Sequence, residues 1–363
     1  MMKYGLSFLP DVSPDIKAPL AYYRDALALC EMADQSGLET VKITEHYMNP
    51  YGGYCPDPLM FLTAVAMRTK RVRLMTGGVV AAWHHPIRLA SRLAMLDVMS
   101  KGRLDVGFVR AFLPYEFDAF GIPMDESRSR YELTIRAVDR LLAEEKVTEE
   151  TPYFNFNEVS ILPPAFQTPR PPIWCAAAVS EESFRWAGAQ GYDLMVAFSY
   201  HPIDTLAAKI ALFRNENPTG RVTVFVPLVI DKNHARAVER GSYYLKRYHS
   251  VWAEAADSWK DRESTQYLPA YAQLSDFLRS ADYSYMNGVG SVFFGDPKFV
   301  IERTRWLIEE LRPYQLLWNL DIGGMPFAIA GNTLQLFVEH VLPEVAGLAA
   351  DGSEDLRLVG QTG

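Results

Sequence analysis

The feature that most narrows the fold is a rhythm. Short apolar runs of β character alternate with longer amphipathic helical stretches from the start of the chain almost to its end. Residues 3–9 read as a first strand, 39–44 as a second, 72–79 as a third and 103–109 as a fourth. Further strands are expected at 173–177, 193–198, 222–230 and 314–320. One intervening helix carries Leu20, Tyr23, Leu27 and Cys30 on a single stripe and stops at Gly37. Another opens at Pro86 and repeats Leu89, Leu93 and Leu96. Helices are also expected over 126–143, 180–190, from about 202, from the seventh strand to about 250, and over 333–345. Strict alternation demands a parallel sheet covered by helices. Eight units favour a closed (β/α)8 TIM barrel over an open doubly wound sheet. No Gly-x-Gly-x-x-Gly turn follows the first strand, which counts against a dinucleotide-binding fold.

The rhythm implies one barrel over 1–350, a flexible polar tail at 351–363, and two interruptions. Residues 151–172 are aromatic and then Pro-rich, and read as a hairpin leading into the fifth strand. Residues 253–295 form an insertion after the seventh helix, rich in Tyr and Phe. A lid over the pocket and a packing or dimer element are both open readings of it. Composition excludes several classes. With 49% hydrophobic and 22% charged residues, a large core forms and disorder does not. Thirty-six basic against 44 acidic residues leave −8, which gives no footprint for nucleic acid or anionic membrane, although a local basic pocket stays open. Three widely spaced cysteines make neither a disulfide framework nor a metal knuckle. The start lacks a signal-peptide pattern and no apolar run reaches membrane-span length, so a cytoplasmic enzyme is expected.

Barrels place their chemistry where strands end, on the loops at the C-terminal face. The second strand ends in Thr44-Glu45-His46-Tyr47. His46 suits proton handling near neutrality, and Glu45 beside it could fix its tautomer; a histidine satisfied by core hydrogen bonds is the competing reading. The third ends in Gly77-Gly78, a bare floor for a flat ring. Trp83, His84 and His85 follow at the rim, with no third ligand spaced to make a metal site. The fourth ends in Val109-Arg110, whose guanidinium suits a phosphate or carboxylate, unless Asp118, Asp125 or Glu126 claims it. Ser180 and Ser183 open the fifth helix; they are either an anion site or only a cap, with Glu181 and Glu182 serving the dipole. Together these residue types outline a site for a flat ring with one phosphate, as in flavin mononucleotide.

The ordered segments resemble the bacterial luciferase-like flavin monooxygenases. They are Glu45-His46, TGGVVAAWHHPIRLA (76–90), LDVMSKGRLDVGFVRAF (96–112), EFDAFGIPMDESRSRYE (116–132), PPIWCAAAVSEESFRWA (171–187), GDPKFVIERT (295–304) and GGMP (323–326). The resemblance implies that His46 sits beside the flavin ring and is needed for catalysis. It implies a Gly77–Gly78 peptide, often cis in the family, against the isoalloxazine, and phosphate contacts from Arg110, Ser180 and Ser183. Arg128 resembles a second arginine near the cofactor. Val109 stands where the luciferases have a cysteine, and Val179 where they have a glutamate. The implied reaction takes reduced FMN from a separate reductase, forms a flavin hydroperoxide with O2, and oxygenates a small, apolar organic substrate. Phe8, Trp83, Phe112, Tyr115 and Trp318 are the expected apolar wall. A homodimer is expected, with no nucleic-acid or membrane partner. Two other outcomes are compatible: a deazaflavin-dependent hydride transferase of the same superfamily, whose acidic cofactor tail wants more cations than this mouth carries, and a non-catalytic flavin-binding protein, which would have lost part of the barrel.

Overall fold

The computed structural model describes residues 1–348 apart from 198–201, 261, 263 and 268. The expected tail, and Phe198 at the end of the sixth expected strand, lie outside the described residues. The strands are β1 (Lys3–Phe8), β2 (Thr40–Ile43), β3 (Arg73–Thr76), β4 (Val79–Val80), β5 (Leu104–Val109), β6 (Val147–Glu150), β7 (Asn155–Val159), β8 (Ile173–Ala177), β9 (Asp193–Ala197), β10 (Val222–Ile230), β11 (Phe293–Gly295) and β12 (Gln315–Asn319). The helices are α1 (Pro19–Gln35), α2 (Pro58–Arg68), α3 (Pro86–Ser100), α4 (Pro114–Phe120), α5 (Ser127–Ala143), α6 (Glu181–Ala189), α7 (Ile203–Glu216), α8 (His234–Ala256), α9 (Leu274–Ser280), α10 (Tyr283–Gly288), α11 (Pro297–Leu311), α12 (Phe327–Leu336) and α13 (Leu342–Val345).

Parallel pairing runs β1-β2-β3-β5-β8-β9-β10-β12 and returns to β1, closing the eight-stranded barrel. Four registers differ from expectation. The third strand is broken at Gly77–Gly78, and its remainder, β4, pairs with the end of β5. The hairpin is β6 with β7, so it starts before residue 151 and ends before the Pro-rich run. The seventh helix runs on to Ala256, and β11 adds to the far end of β10. The last helix starts earlier, at Phe327, and passes through a π turn at Phe337–Val341. Helix α2 lay unread in the sequence although Asp57 caps it, accepting from the amides of Leu59 and Met60 at 3.0 and 3.2 Å.

Strand parity decides which side chains see the barrel interior. Met75, Trp174, Met195 and Leu317 fill it. The alternate residues pack outward against helices. Phe8 lies 6.2 Å from Phe61 of α2, and Trp318 lies against Phe293 and Phe337. Phe8 and Trp318 are therefore core residues between barrel and helices, not walls of the pocket as expected. The N-terminal face is tied by Arg73–Asp105 at 2.7 Å and Arg221–Asp193 at 2.5 Å. The C-terminal face is left to the loops.

Candidate active site

At one side of the mouth β5 delivers Arg110 and α6 begins. A cavity of about 340 Å³ separates them, lined by Arg110, Arg128, Val179, Ser180 and Tyr271, with Glu182 and residues 265–267 completing the wall. Its volume is in the range of small-molecule sites. Arg110 pairs with none of Asp118, Asp125 or Glu126, which are taken by Arg262, by Ser264 and Thr265, and by Arg130. Its Nη2 donates to the Gln266 carbonyl at 3.0 Å, and its guanidinium lies 4.4 Å from the Tyr267 ring centre. Its Nη1 is buried and has no partner among the described residues. A buried guanidinium nitrogen left without an acceptor is costly, so the donor set suits an anion. Ser180 holds the N-cap position without its side chain bonding its own helix, leaving its hydroxyl and the amides of Glu181 and Glu182 available. Arg128 is bound to Glu182 at 3.0 Å and reaches Glu132 at 3.7 Å. Ser183 gives its amide to the Ser180 carbonyl and does not line the cavity. Arg110 and Ser180 thus turn donors without protein acceptors toward one cavity.

The 253–295 insertion forms the outer wall. Ser264 and Thr265 donate to Asp125 at 2.7 and 3.2 Å, Arg262 meets Asp118 at 2.6 Å, and the Tyr267 hydroxyl bonds the Ala111 carbonyl. Residues 265–267 and Tyr271 thus cover one side of the cavity, which leaves both readings of the insertion open.

His46 stands at the other side, buried, and is reached from the cavity through Tyr271 and Phe112, whose rings are 6.2 and 5.8 Å apart in turn. Its Nδ1 lies 3.1 Å from Glu116 Oε1, which also accepts the Tyr47 amide at 2.9 Å. A carboxylate acceptor places the proton on Nδ1 and leaves Nε2 for chemistry. Gly52 holds φ +79°, and a Cβ there would come within 2.5 Å of the His46 Cβ, so the 49–53 turn presses the ring into place. Glu45 does not orient His46. Its Oε1 is taken by the Tyr47 hydroxyl and by His84 Nε2 at 3.0 Å, and its Oε2 by the Val80 amide at 2.9 Å. It fixes the loop after Gly77–Gly78 instead. Glu116 is the acid that sequence reasoning missed; it begins the resembling 116–132 segment, but its pairing with His46 spans 70 residues.

The Gly77–Gly78 peptide is cis. A Cβ on Gly78 would sit 2.7 Å from the Val109 nitrogen, so Gly78 and Val109 share the floor. Trp83 packs on Phe117 and Phe120 at the rim. Tyr115 lies with Tyr51, Tyr248 and Trp252; its hydroxyl is buried without a partner among the described residues, and burial raises its pKa. Beneath them is a second group absent from the sequence reading. Lys42 is buried inside the barrel, and burial lowers its pKa to about 7. Asp321, raised by burial to about 6, accepts from the Tyr22 hydroxyl at 3.1 Å. Asp11, raised by burial to about 8, accepts from the amides of Gly323 and Gly324.

The molecule is thus a parallel barrel with an arginine-lined cavity at one strand end and a buried His–Glu pair at another. The pattern of the luciferase-like monooxygenase family matches residues 2–311, and the chain belongs to that family. It is 32% identical, over 54% of each chain, to the oxygenase component of flavin-dependent trigonelline monooxygenase from Acinetobacter baylyi. It thus spans about half the length of that relative, and 56% of a 31% identical Sinorhizobium fredii protein. Monooxygenase RslO1 from Streptomyces bottropensis superposes with a TM-score of 0.81 at 34% identity, covering 94% of this chain and 99% of that one. The FMN complex of the oxygenating constituent of 3,6-diketocamphane monooxygenase from Pseudomonas putida shares the fold at 19% identity, with a TM-score of 0.76 over 94% and 98% of the two chains. F420-dependent enzymes share the fold as well. Among the described residues no helix is long and apolar enough to cross a membrane.

Proposed function

We propose that the chain is the cytoplasmic oxygenase component of a two-component monooxygenase, taking reduced FMN from a separate reductase and inserting one atom of O2 into a small, largely apolar organic molecule. The carrying observation is Arg110, whose buried Nη1 lacks an acceptor beside the open start of α6. Arg110, Ser180 and the α6 amides would hold the phosphate, and Gly77, Gly78 and Val109 would lie along the ring. Bound reduced FMN supplies the electrons that activate O2. Glu116 fixes the His46 ring so that Nε2 can hold or return a proton at the reacting oxygen. Trp83, Phe112 and Tyr115, with Tyr271 from the cover, exclude water and favour an apolar substrate. The two cavity arginines, one already bound to Glu182, support a single phosphate over the acidic tail of a deazaflavin. Exposed Met60 and Met67 on α2, with Met95 and Met99 on α3, support a homodimer through these helices.

The test is turnover with a flavin reductase, FMN and isotopically labelled O2 over a panel of apolar aromatic and terpenoid compounds. One labelled atom in product is expected. Absence of FMN binding together with deazaflavin turnover would move the assignment to hydride transfer.

A further inference from the structure

Lys42 is the least expected side chain in the barrel. It stands between outward-facing Val41 and Ile43, so the pleat of β2 turns it inward, where it is 2% exposed. Its ammonium donates to the hydroxyls of Ser7 and Thr44, each at 3.1 Å, and lies 4.0 Å from the Phe225 ring centre. Asn319 steadies Ser7 at 3.4 Å. The Thr44 hydroxyl passes the contact on to the Gly77 carbonyl at 2.7 Å. The lysine stem lies directly against that peptide, since a Cβ on Gly77 would fall 2.1 Å from Lys42 Cγ.

Every ligand of the ammonium is neutral, and among the described residues it forms no ion pair. The titratable groups acting on it are Asp321, just beyond β12, and the Cys55 thiol from the loop after His46. Asp321 accepts from Tyr22 through Oδ2 and bonds no group of Lys42, and burial pushes the Cys55 thiol up, away from ionisation. Burial has lowered the lysine to about 7, against the smaller raising pull of Asp321, which makes no direct ion pair with it. Such a cation gains most from a ligand that carries negative charge into the mouth. Oxidised isoalloxazine is neutral. Two electrons and one proton convert it to a form whose negative charge is spread over the pyrimidine edge.

We propose that Lys42 is the charge partner of reduced flavin, its ammonium beneath the Gly77–Gly78 peptide making this site bind the reduced, anionic cofactor in preference to the oxidised one. The inference rests on the FMN reading above. It gives a co-substrate flavin a direction: it is taken up reduced and released oxidised. In the fraction of molecules where Lys42 is neutral, binding draws one proton from solvent onto Nζ, and the flavin stays deprotonated.

The experiment compares wild type with Lys42→Met and Lys42→Gln. Dissociation constants are measured for oxidised FMN in air and for reduced FMN without oxygen, and the absorbance of bound reduced FMN is followed across neutral pH. Both variants should lose the preference for reduced flavin by about tenfold, equivalent to a potential lower by about 30 mV for a two-electron couple. Their bound reduced flavin should show the neutral spectrum where wild type shows the anionic one. An unchanged ratio and spectrum in a variant that still binds FMN overturns the role of Lys42 and leaves the FMN reading standing; a site that serves a substrate carboxylate would give this result. Wild type that binds neither form overturns both. Lys42→Gln, which keeps a hydrogen-bonding end, supplies the measurement if the Met variant does not fold.

Discussion

The two sides of the barrel mouth are built on opposite plans. At the Arg110 side the cations are arginines, permanent at any working pH, and Arg110 keeps a buried nitrogen open. The cover is attached there by side-chain contacts to Asp118, Asp125 and Ala111. At the reacting side the polar groups are buried and mostly bonded to protein, and three of them are moved by burial toward neutrality: Lys42 to about 7, Asp321 to about 6 and Asp11 to about 8. One side can hold a cofactor by a charge that never changes. The other can exchange protons while the cofactor stays in place.

The largest expected effect breaks the reacting side alone. His46→Ala should cut product formation by about 10²–10⁴-fold, the usual contribution of a positioned acid–base group, with FMN binding unchanged. Wild-type turnover in that variant would sink the assignment. Arg110→Ala attacks the other side. Loss of one charge-assisted contact, about 1.5–3 kcal/mol, should weaken FMN binding roughly tenfold to hundredfold. Product formation should recover at saturating reduced FMN. A dissociation constant equal to wild type by fluorescence quenching would remove Arg110 from the phosphate site.

The same division explains what could be read from the chain. The placement of Arg110 and Ser180 on one cavity was legible because its parts are local: Arg110 follows a strand, and Ser180 opens a helix. The barrel was legible for the same reason, from strand–helix units that each declare themselves. The reacting side depends on who meets whom across the barrel. Glu45 was adjacent to His46 in sequence and turned away; Glu116 was distant and made the bond. Phe8 and Trp318 have the aromatic character of a pocket wall, but they alternate with inward-facing Ser7 and Asn319 and so point outward. Lys42 carried a visible signal, a charge between Val41 and Ile43 in a strand covered on both faces, but its meaning needed Ser7, Thr44 and Gly77 in space.

Glu116→Gln sharpens the comparison further. The variant keeps the shape at Tyr47 but presents a neutral partner to His46 Nδ1. A charge-assisted bond is replaced by an ordinary one, a loss of about 1.4 kcal/mol, so kcat should fall about tenfold. The dissociation constant for FMN should not move. Equal losses in kcat and FMN affinity would mean that Glu116 merely supports the mouth.

The smallest effect concerns stability and separates the titrating side from the rest of the fold. Asp11 has a folded pKa of about 8 against an ordinary 3.8. A raised carboxyl contributes stability that is complete below the ordinary value and is lost as pH climbs through the folded one. Lys42 has the opposite sign: lowered to about 7 from 10.5, it contributes stability present at high pH and lost as pH falls through the folded value. Between about pH 5 and pH 7 the slope from Asp11 therefore runs downward with rising pH, while Lys42 is only beginning to act. Asp11→Asn keeps an acceptor for the Gly323 and Gly324 amides but cannot ionise. On going from about pH 5 to about pH 7, wild type should lose about 3–4 °C more in Tm than the variant, since one displaced proton is worth up to about 1.4 kcal/mol per pH unit, or about 2.8 kcal/mol over the two units. Parallel Tm profiles would mean that Asp11 stays ionised in the folded protein, its charge met by those two amides, and the titrating group at this side would then reduce to Lys42 and Asp321.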